Sequence, residues 1–185
     1  MRRLLLAPAL LAALVVVMPA QAEPGRVFKD TIHLDDVNEI DGFCETDLVV
    51  RSHFVADIRV TAMPRGRDGL IYFANRLSIT ETFTNVANGK SVVSTVNGID
   101  KDLRVTDNGD GTLTVLILAT GNAVLSTPDG KAIGRNPGQT RFELLVDHGG
   151  TPSDPSDDTE LSFEVVKEST GRTDDFCGVM VPALS

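Results

Sequence analysis

Between Leu48 and Val60 apolar and polar side chains alternate. Leu48, Val50, Phe54, Ala56, Ile58 and Val60 share one parity with Ser52, while Arg51, His53, Asp57 and Arg59 occupy the other. A period of two places such a segment in a long strand with one buried face. The same pattern runs from Leu70 to Asn85, where Ile71, Phe73, Leu77, Ile79 and Phe83 face inward and Tyr72, Arg76, Ser78, Thr80 and Thr82 outward. Pro64 to Gly69 separates the two by turn composition.

Shorter β-rich runs follow: Ser91 to Val96, Leu103 to Thr106, Leu113 to Ala119, Ala123 to Thr127, Gln139 to Val146 and Glu160 to Lys167. Asn88-Gly89, Asp107 to Gly111, Pro128 to Gly130 and Arg135 to Gly138 punctuate them as turns, and Gly98, Gly109 and Gly111 read as turn glycines. Phe142, Leu144 and Val146 form one inner face, and Leu161, Phe163 and Val165 another. Outside the leader no stretch carries helical periodicity, and no internal repeat is visible. The expectation is all-β: a single-domain antiparallel up-and-down meander of about eight or nine strands, closed or nearly closed into a barrel, since closure removes exposed edges. A two-sheet β-sandwich is the alternative.

The N-terminus changes the setting of that domain. Arg2 and Arg3, an apolar run from Leu4 to Met18, and Ala20-Gln21-Ala22 make an export signal cleaved after Ala22. The run falls short of the roughly 20 apolar residues of a membrane span and is interrupted by Pro8 and Pro19. Residues 1–22 are thus expected to be removed, residues 23–185 to form one secreted domain, and no membrane span to remain. No Cys follows the cleavage site to take a lipid.

Cys44 and Cys177 are the 2 cysteines of the chain, and in an exported protein they are expected to be bonded. The bridge would close most of the mature chain into one loop, worth roughly 4–5 kcal/mol in the chain-entropy picture, and would bring first and last strands together. The formal net charge of −9 argues against nucleic acid or anionic membranes as partners. With no Trp and 1 Tyr, the chain offers no aromatic platform for sugars or bases.

Polar residues on an inward parity are the informative exceptions. Glu81 is in phase with Ile79 and Phe83, Asn75 with Phe73 and Leu77, and His148 with Phe142, Leu144 and Val146. A buried Glu81 would have a raised pKa and could exchange protons as a general acid or base, with His148 as its partner; Asn75 and Glu81 are the candidate ligand-binding residues. Alternatively, Glu81 lies at a rim and His148 merely begins a loop. Between Asp147 and Glu160 the carboxylates Asp147, Asp154, Asp157 and Asp158 crowd a bent, Gly- and Pro-containing loop, hard oxygen ligands of the kind Ca2+ takes, though without EF-hand spacing. A solvated acidic turn is the competing reading. No cofactor other than Ca2+ is implied. No HExxH, CxxC, Gly-x-Ser-x-Gly elbow, P-loop or dinucleotide fingerprint is present.

The leader, Gly42-Phe43-Cys44, the Asp147-to-Asp158 loop and Asp175-Phe176-Cys177 together resemble a family of small secreted proteins from high-GC Gram-positive bacteria. The resemblance covers most of the mature chain, the loop most specifically. It implies secretion and no particular activity, so no catalytic residue is carried over. The meander is similar in architecture to lipocalin-like and allene-oxide-cyclase-like barrels, and architecture alone assigns no function.

These features give three expectations. The first is an exported, non-enzymatic β-barrel that binds a small apolar molecule or a surface partner. The second is a cyclase- or isomerase-type enzyme built on an interior Glu81. The third is a calcium-stabilised structural or adhesion domain.

Overall fold

The structure, a computed structural model, describes residues 27–185, so the expected leader over 1–22 lies outside the described residues. β1 (Phe28–Ile40), β2 (Val50–Arg65), β3 (Leu70–Asn85), β4 (Ser91–Asp107), β5 (Thr112–Ser126), β6 (Ala132–Asp147) and β7 (Thr159–Lys167) are followed by the helix α1 (Phe176–Leu184). All strands belong to one 7-stranded antiparallel sheet whose spatial order is the chain order, β1 to β7. The fold is therefore all-β and up-and-down. A single continuous ladder excludes the two-sheet sandwich, and it does not close: β1 and β7 are its edges. Charged Lys29, Asp30, Asp35, Asp36 and Glu39 occupy the β1 edge, a composition that discourages edge-to-edge pairing.

The strands are fewer and longer than the sequence pattern predicts. Ser91–Val96 and Leu103–Thr106 are one strand, as are Leu113–Ala119 and the run from Ala123 as far as Ser126, and Arg135 to Gly138 lies inside β6 rather than in a turn. The register explains why. Gly98 pairs with Gly121, and Gly121 with Gly138, so residues that punctuate the sequence line up as one row across β4, β5 and β6. A Cβ on Gly98 would lie 2.9 Å from the Thr120 carbonyl oxygen, and one on Gly121 would lie 2.7 Å from that of Asn97. The row is a crease where backbones approach too closely for any side chain, the role glycine takes where sheets bend sharply. Gly98 is thus a mid-strand glycine. Pro137, which has no N–H to give, is tolerated because β7 ends opposite Arg141, leaving that stretch of β6 to be covered by the chain around Gly171 and Asp174.

The buried face is the predicted one on β2 and β3: Val50, Ala56, Ile58, Val60, Leu77, Ile79 and Phe83 are all buried. Leu161 departs from the prediction. The β6–β7 register slips between Leu145 and Val146, so Leu161 is the extra residue of a bulge and is 53% exposed.

Where β3 and β4 part, side chains replace the lost ladder. Their pairing stops at Ala74 and Lys101, although β3 continues to pair with β2 as far as Leu70. The freed Phe73 N–H donates to Asp102 Oδ2 at 2.7 Å, and the Val105 N–H donates to the Tyr72 hydroxyl at 3.1 Å. Tyr72, expected to face outward, instead packs beside Val105, Leu113 and Val146.

At the other end of the sheet Phe43, Val50, Phe83, Val92, Leu125, Met180 and Leu184 form a core in which α1 is the plug. Helical structure here corrects the sequence reading. Its start is marked by Asp175, whose carboxylate accepts from the Gly178 N–H at 3.1 Å. Its residues are apolar all round, so no 3.6-residue alternation signals it.

Cys44 and Cys177 are bonded, with Cα atoms 5.6 Å apart. The bridge ties the short 3-10 turn Phe43–Glu45, between β1 and β2, to α1. It does not join β1 to β7 as expected, because Cys177 lies beyond the last strand.

Candidate functional site

Two faces of the sheet carry unusual polar chemistry. On the buried face Glu81 is half-buried opposite Ser94, and Ser52 Oγ donates to its Oε1 at 2.5 Å. Burial raises the Glu81 pKa, opposed by the Ser52 hydrogen bond. Asn75 pairs with Asp100 across β3 and β4, and its Oδ1 is buried without a hydrogen-bond partner among the described residues. Burial pushes Asp100 up to about 6. Asp102 also rises to about 6 through burial, against the opposing Phe73 N–H and Arg65 charge, with Asp100 adding to the rise.

Asn75 and Glu81 share a strand and a face but lie about 20 Å apart along it, at 3.3 Å per residue. Glu81 pairs with Ser94, Ser94 with Leu125 and Leu125 with Gly134, at the opposite end of β6 from Asp147 and His148. The structure therefore does not bring Glu81 and His148 together. His148 is buried at the start of the loop, where its Nδ1 accepts from the Gly150 N–H at 3.2 Å and its own N–H donates to the Gly111 carbonyl.

The acidic loop uses its carboxylates to hold its own backbone. Asp147 accepts from the Gly149 N–H at 2.9 Å, Asp154 from the Ser156 N–H at 3.1 Å, and Asp157 from the Thr151 hydroxyl at 2.7 Å. Asp158 is half-buried and rises to about 6, through burial first and the neighbouring Asp157 next. Among the described residues no three His, Cys, Asp or Glu side chains are grouped so as to hold a metal ion.

The opposite face of the sheet holds a groove of about 750 Å³ that crosses β1 to β5. Thr31, Asp57, Arg59, Arg76, Ser78, Asn97, Ile99 and Thr120 line it, and the crease glycines Gly98 and Gly121 form part of its floor. The crease glycines thus border the groove with their backbone, while most of its other lining residues present side chains on the outward face. Arg59 and Arg76 face each other directly across β2 and β3. Beside the groove, on β1 and β2, three exposed cross-strand pairs are formed: His33 with Asp57 at 3.0 Å, His53 with Asp35 at 2.9 Å, and Arg51 with Glu39 at 2.9 Å. Among the described residues Arg59 and Arg76 enter no salt bridge.

Sequence reasoning placed Arg59 and Arg76 outward but could not pair them, since opposition across strands depends on register. Asp100 and Asp102 escaped notice because Gly98 read as a turn. Continuing the alternation of Val92, Ser94 and Val96 through it would have found both.

The chain matches no protein-family model, and no curated protein or solved structure is significantly similar to it. Among the described residues no helix is long and apolar enough to cross a membrane. A disulfide and the lack of such a helix are compatible with an extracellular protein.

Proposed function

We propose that this is an exported, non-enzymatic binding protein whose ligand occupies the outward groove. The observation that carries this reading is the groove itself, about 750 Å³ lined by side chains fixed on adjacent strands. That volume is within the range of small-molecule sites, and strands hold their side chains in place more rigidly than loops do. The lining favours a polar ligand or surface partner over the apolar molecule expected from sequence, because hydroxyl, amide and guanidinium groups dominate it. The curled sheet acts as a near-barrel scaffold, stapled by the Cys44–Cys177 bridge as suits an oxidising compartment.

A second reading, an enzyme using Glu81, is favoured by the burial that raises the pKa of that residue and by its hydrogen bond from Ser52 on the inner face. Backbone amide NMR of the secreted protein, with native mass spectrometry to detect a copurified molecule, separates the two. Ligand-dependent shifts at Ser78, Asn97 and Thr120 support the groove. Shifts confined to Ser52, Glu81 and Ser94 support the interior site and remove the groove reading.

A further inference from the structure

The register of the sheet gathers cations that the overall charge conceals. One cross-strand row runs Lys29, Thr61, Ala74, Lys101, Leu118, Arg141 and Lys167, from β1 to β7. The adjacent row on the same face runs Thr31, Arg59, Arg76, Ile99, Thr120 and Gln139. Together they place Lys29, Arg59, Arg76, Lys101, Arg141 and Lys167 in a band without a carboxylate, all of them exposed. This occurs in a chain with 26 acidic and 17 basic residues. Strands lie about 4.8 Å apart, so the band extends about 29 Å from β1 to β7, perpendicular to the strands.

Such an arrangement is costly without a partner. Like charges directly opposite on neighbouring strands destabilise a sheet, and Arg59 and Arg76 are so placed. An anion between the two planar guanidinium forks would turn that repulsion into paired charge-assisted hydrogen bonds.

Resting on the groove reading above, we propose that the band binds a linear acidic polysaccharide laid across the strands. Its acidic groups pair with Arg59, Arg76 and the flanking cations. Its hydroxyls are met by Thr31, Ser78, Asn97 and Thr120, which are interleaved with the cations in the groove, and the carboxylate that also lines it, Asp57, is hydrogen-bonded to His33. Neither row contains an aromatic side chain, so neither the bases of a single-stranded nucleic acid nor the faces of sugar rings have a stacking platform here. Recognition here is by charge and hydrogen bonding.

The test uses polygalacturonate as probe, with polyphosphate, single-stranded DNA and neutral dextran as comparisons, titrated at several salt concentrations. Polygalacturonate should bind, shift the amide resonances of the groove, and weaken as salt rises, since bound cations displace counterions. Arg59→Gln with Arg76→Gln should lower affinity at least tenfold and flatten the salt dependence. Arg67→Gln with Lys90→Gln, which likewise removes two charges, from the β2–β3 and β3–β4 turns, should leave affinity unchanged. An equal loss in both variants would reduce the effect to net charge and overturn the proposal. Tighter binding of polyphosphate or DNA than of polygalacturonate would also overturn it. Dextran shifting the groove resonances while polygalacturonate does not would remove the acidic ligand and keep the groove. If no probe shifts them, both readings fall.

Discussion

Asn85 donates from Nδ2 to the Leu184 carbonyl at 2.9 Å, from a position only 3% exposed. The end of β3 thereby caps the last turn of α1, whose carbonyls would otherwise be buried without partners. Asn85 Oδ1 in turn accepts from the Ala87 N–H at 2.9 Å, and Asn88 donates to the same Leu184 carbonyl at 2.9 Å.

Replacing Asn85 with Leu should therefore destabilise the protein by about 1–3 kcal/mol, the cost of orphaning buried polar groups. Asn88→Ala should cost less, because the Asn85 bond to the carbonyl remains. Urea denaturation of the two variants measures the difference, and equal losses would mean that the buried bond is no stronger than its exposed neighbour.

The bridge between Cys44 and Cys177 closes a span of 133 positions. The double variant Cys44→Ala, Cys177→Ala should lose about 2–5 kcal/mol, as native bridges in secreted domains do. Intact mass before and after reduction and alkylation establishes the oxidation state, and thermal unfolding gives the loss. Without the bridge, α1 and the Phe43–Glu45 turn should be the first segments to exchange amide hydrogens.

Asp102 sets a pH dependence. Its folded pKa is about 6, above the ordinary value near 3.9, so the native state favours the neutral acid. As pH rises from about 4 to about 6 the unfolded chain ionises first, and the stability contributed by this group is lost through that window. Asp102→Asn, whose Oδ1 can still accept from the Phe73 N–H, should reduce the loss. It should be more stable than the parent at pH 7, by about 1–3 kcal/mol. Denaturation curves from pH 4 to pH 8 decide this, and a less stable variant at pH 7 would mean an ionised Asp102 held by Arg65.

At the crease, Gly121→Ala should destabilise by about 1–3 kcal/mol, since the added carbon meets the Asn97 carbonyl oxygen and backbone must move. Gly130→Ala is the comparison: the φ of 88° is strained for alanine, but no atom lies within 4 Å of the added carbon. A loss of chemical-shift dispersion along β4 and β5 in Gly121→Ala alone would locate the damage at the bend.

Ca2+ and Mg2+ at equal ionic strength should shift the melting temperature equally and slightly. The loop carboxylates Asp147, Asp154 and Asp157 are engaged with loop N–H and hydroxyl groups, and Asp158, whose Oδ1 is buried without a hydrogen-bond partner among the described residues, is held toward its neutral form by burial. A rise of several degrees specific to Ca2+ would instead support the calcium-stabilised reading.

Much of this architecture was legible in alternation alone. The buried faces of β2 and β3 follow from Val50 to Val60 and Leu77 to Phe83, and His148 continues the inward parity of β6 into burial. What escaped is physical in origin. Gly98, Gly121 and Gly138 resemble turn residues locally, and only the register shows that they stack into one bend. α1 lacks a polar face because it is enclosed at the end of the sheet. Arg59, Arg76 and Lys101 are ordinary outward residues one strand at a time, and become a band only when the strands are aligned. Glu81 and Asn75 share the inward parity of β3, but six residues of extended backbone keep them too far apart to form one site.

The position of the bridge has a consequence for the life of the molecule among proteases. Exposed loops such as Gly149 to Asp158 are where hydrolysis begins. A single cut anywhere between Cys44 and Cys177 leaves the fragments covalently joined, and each severed strand still hydrogen-bonded to its neighbours. A nicked protein would thus keep its mass, plus one water, until reduced. It would reveal the cut on a gel only after thiol treatment.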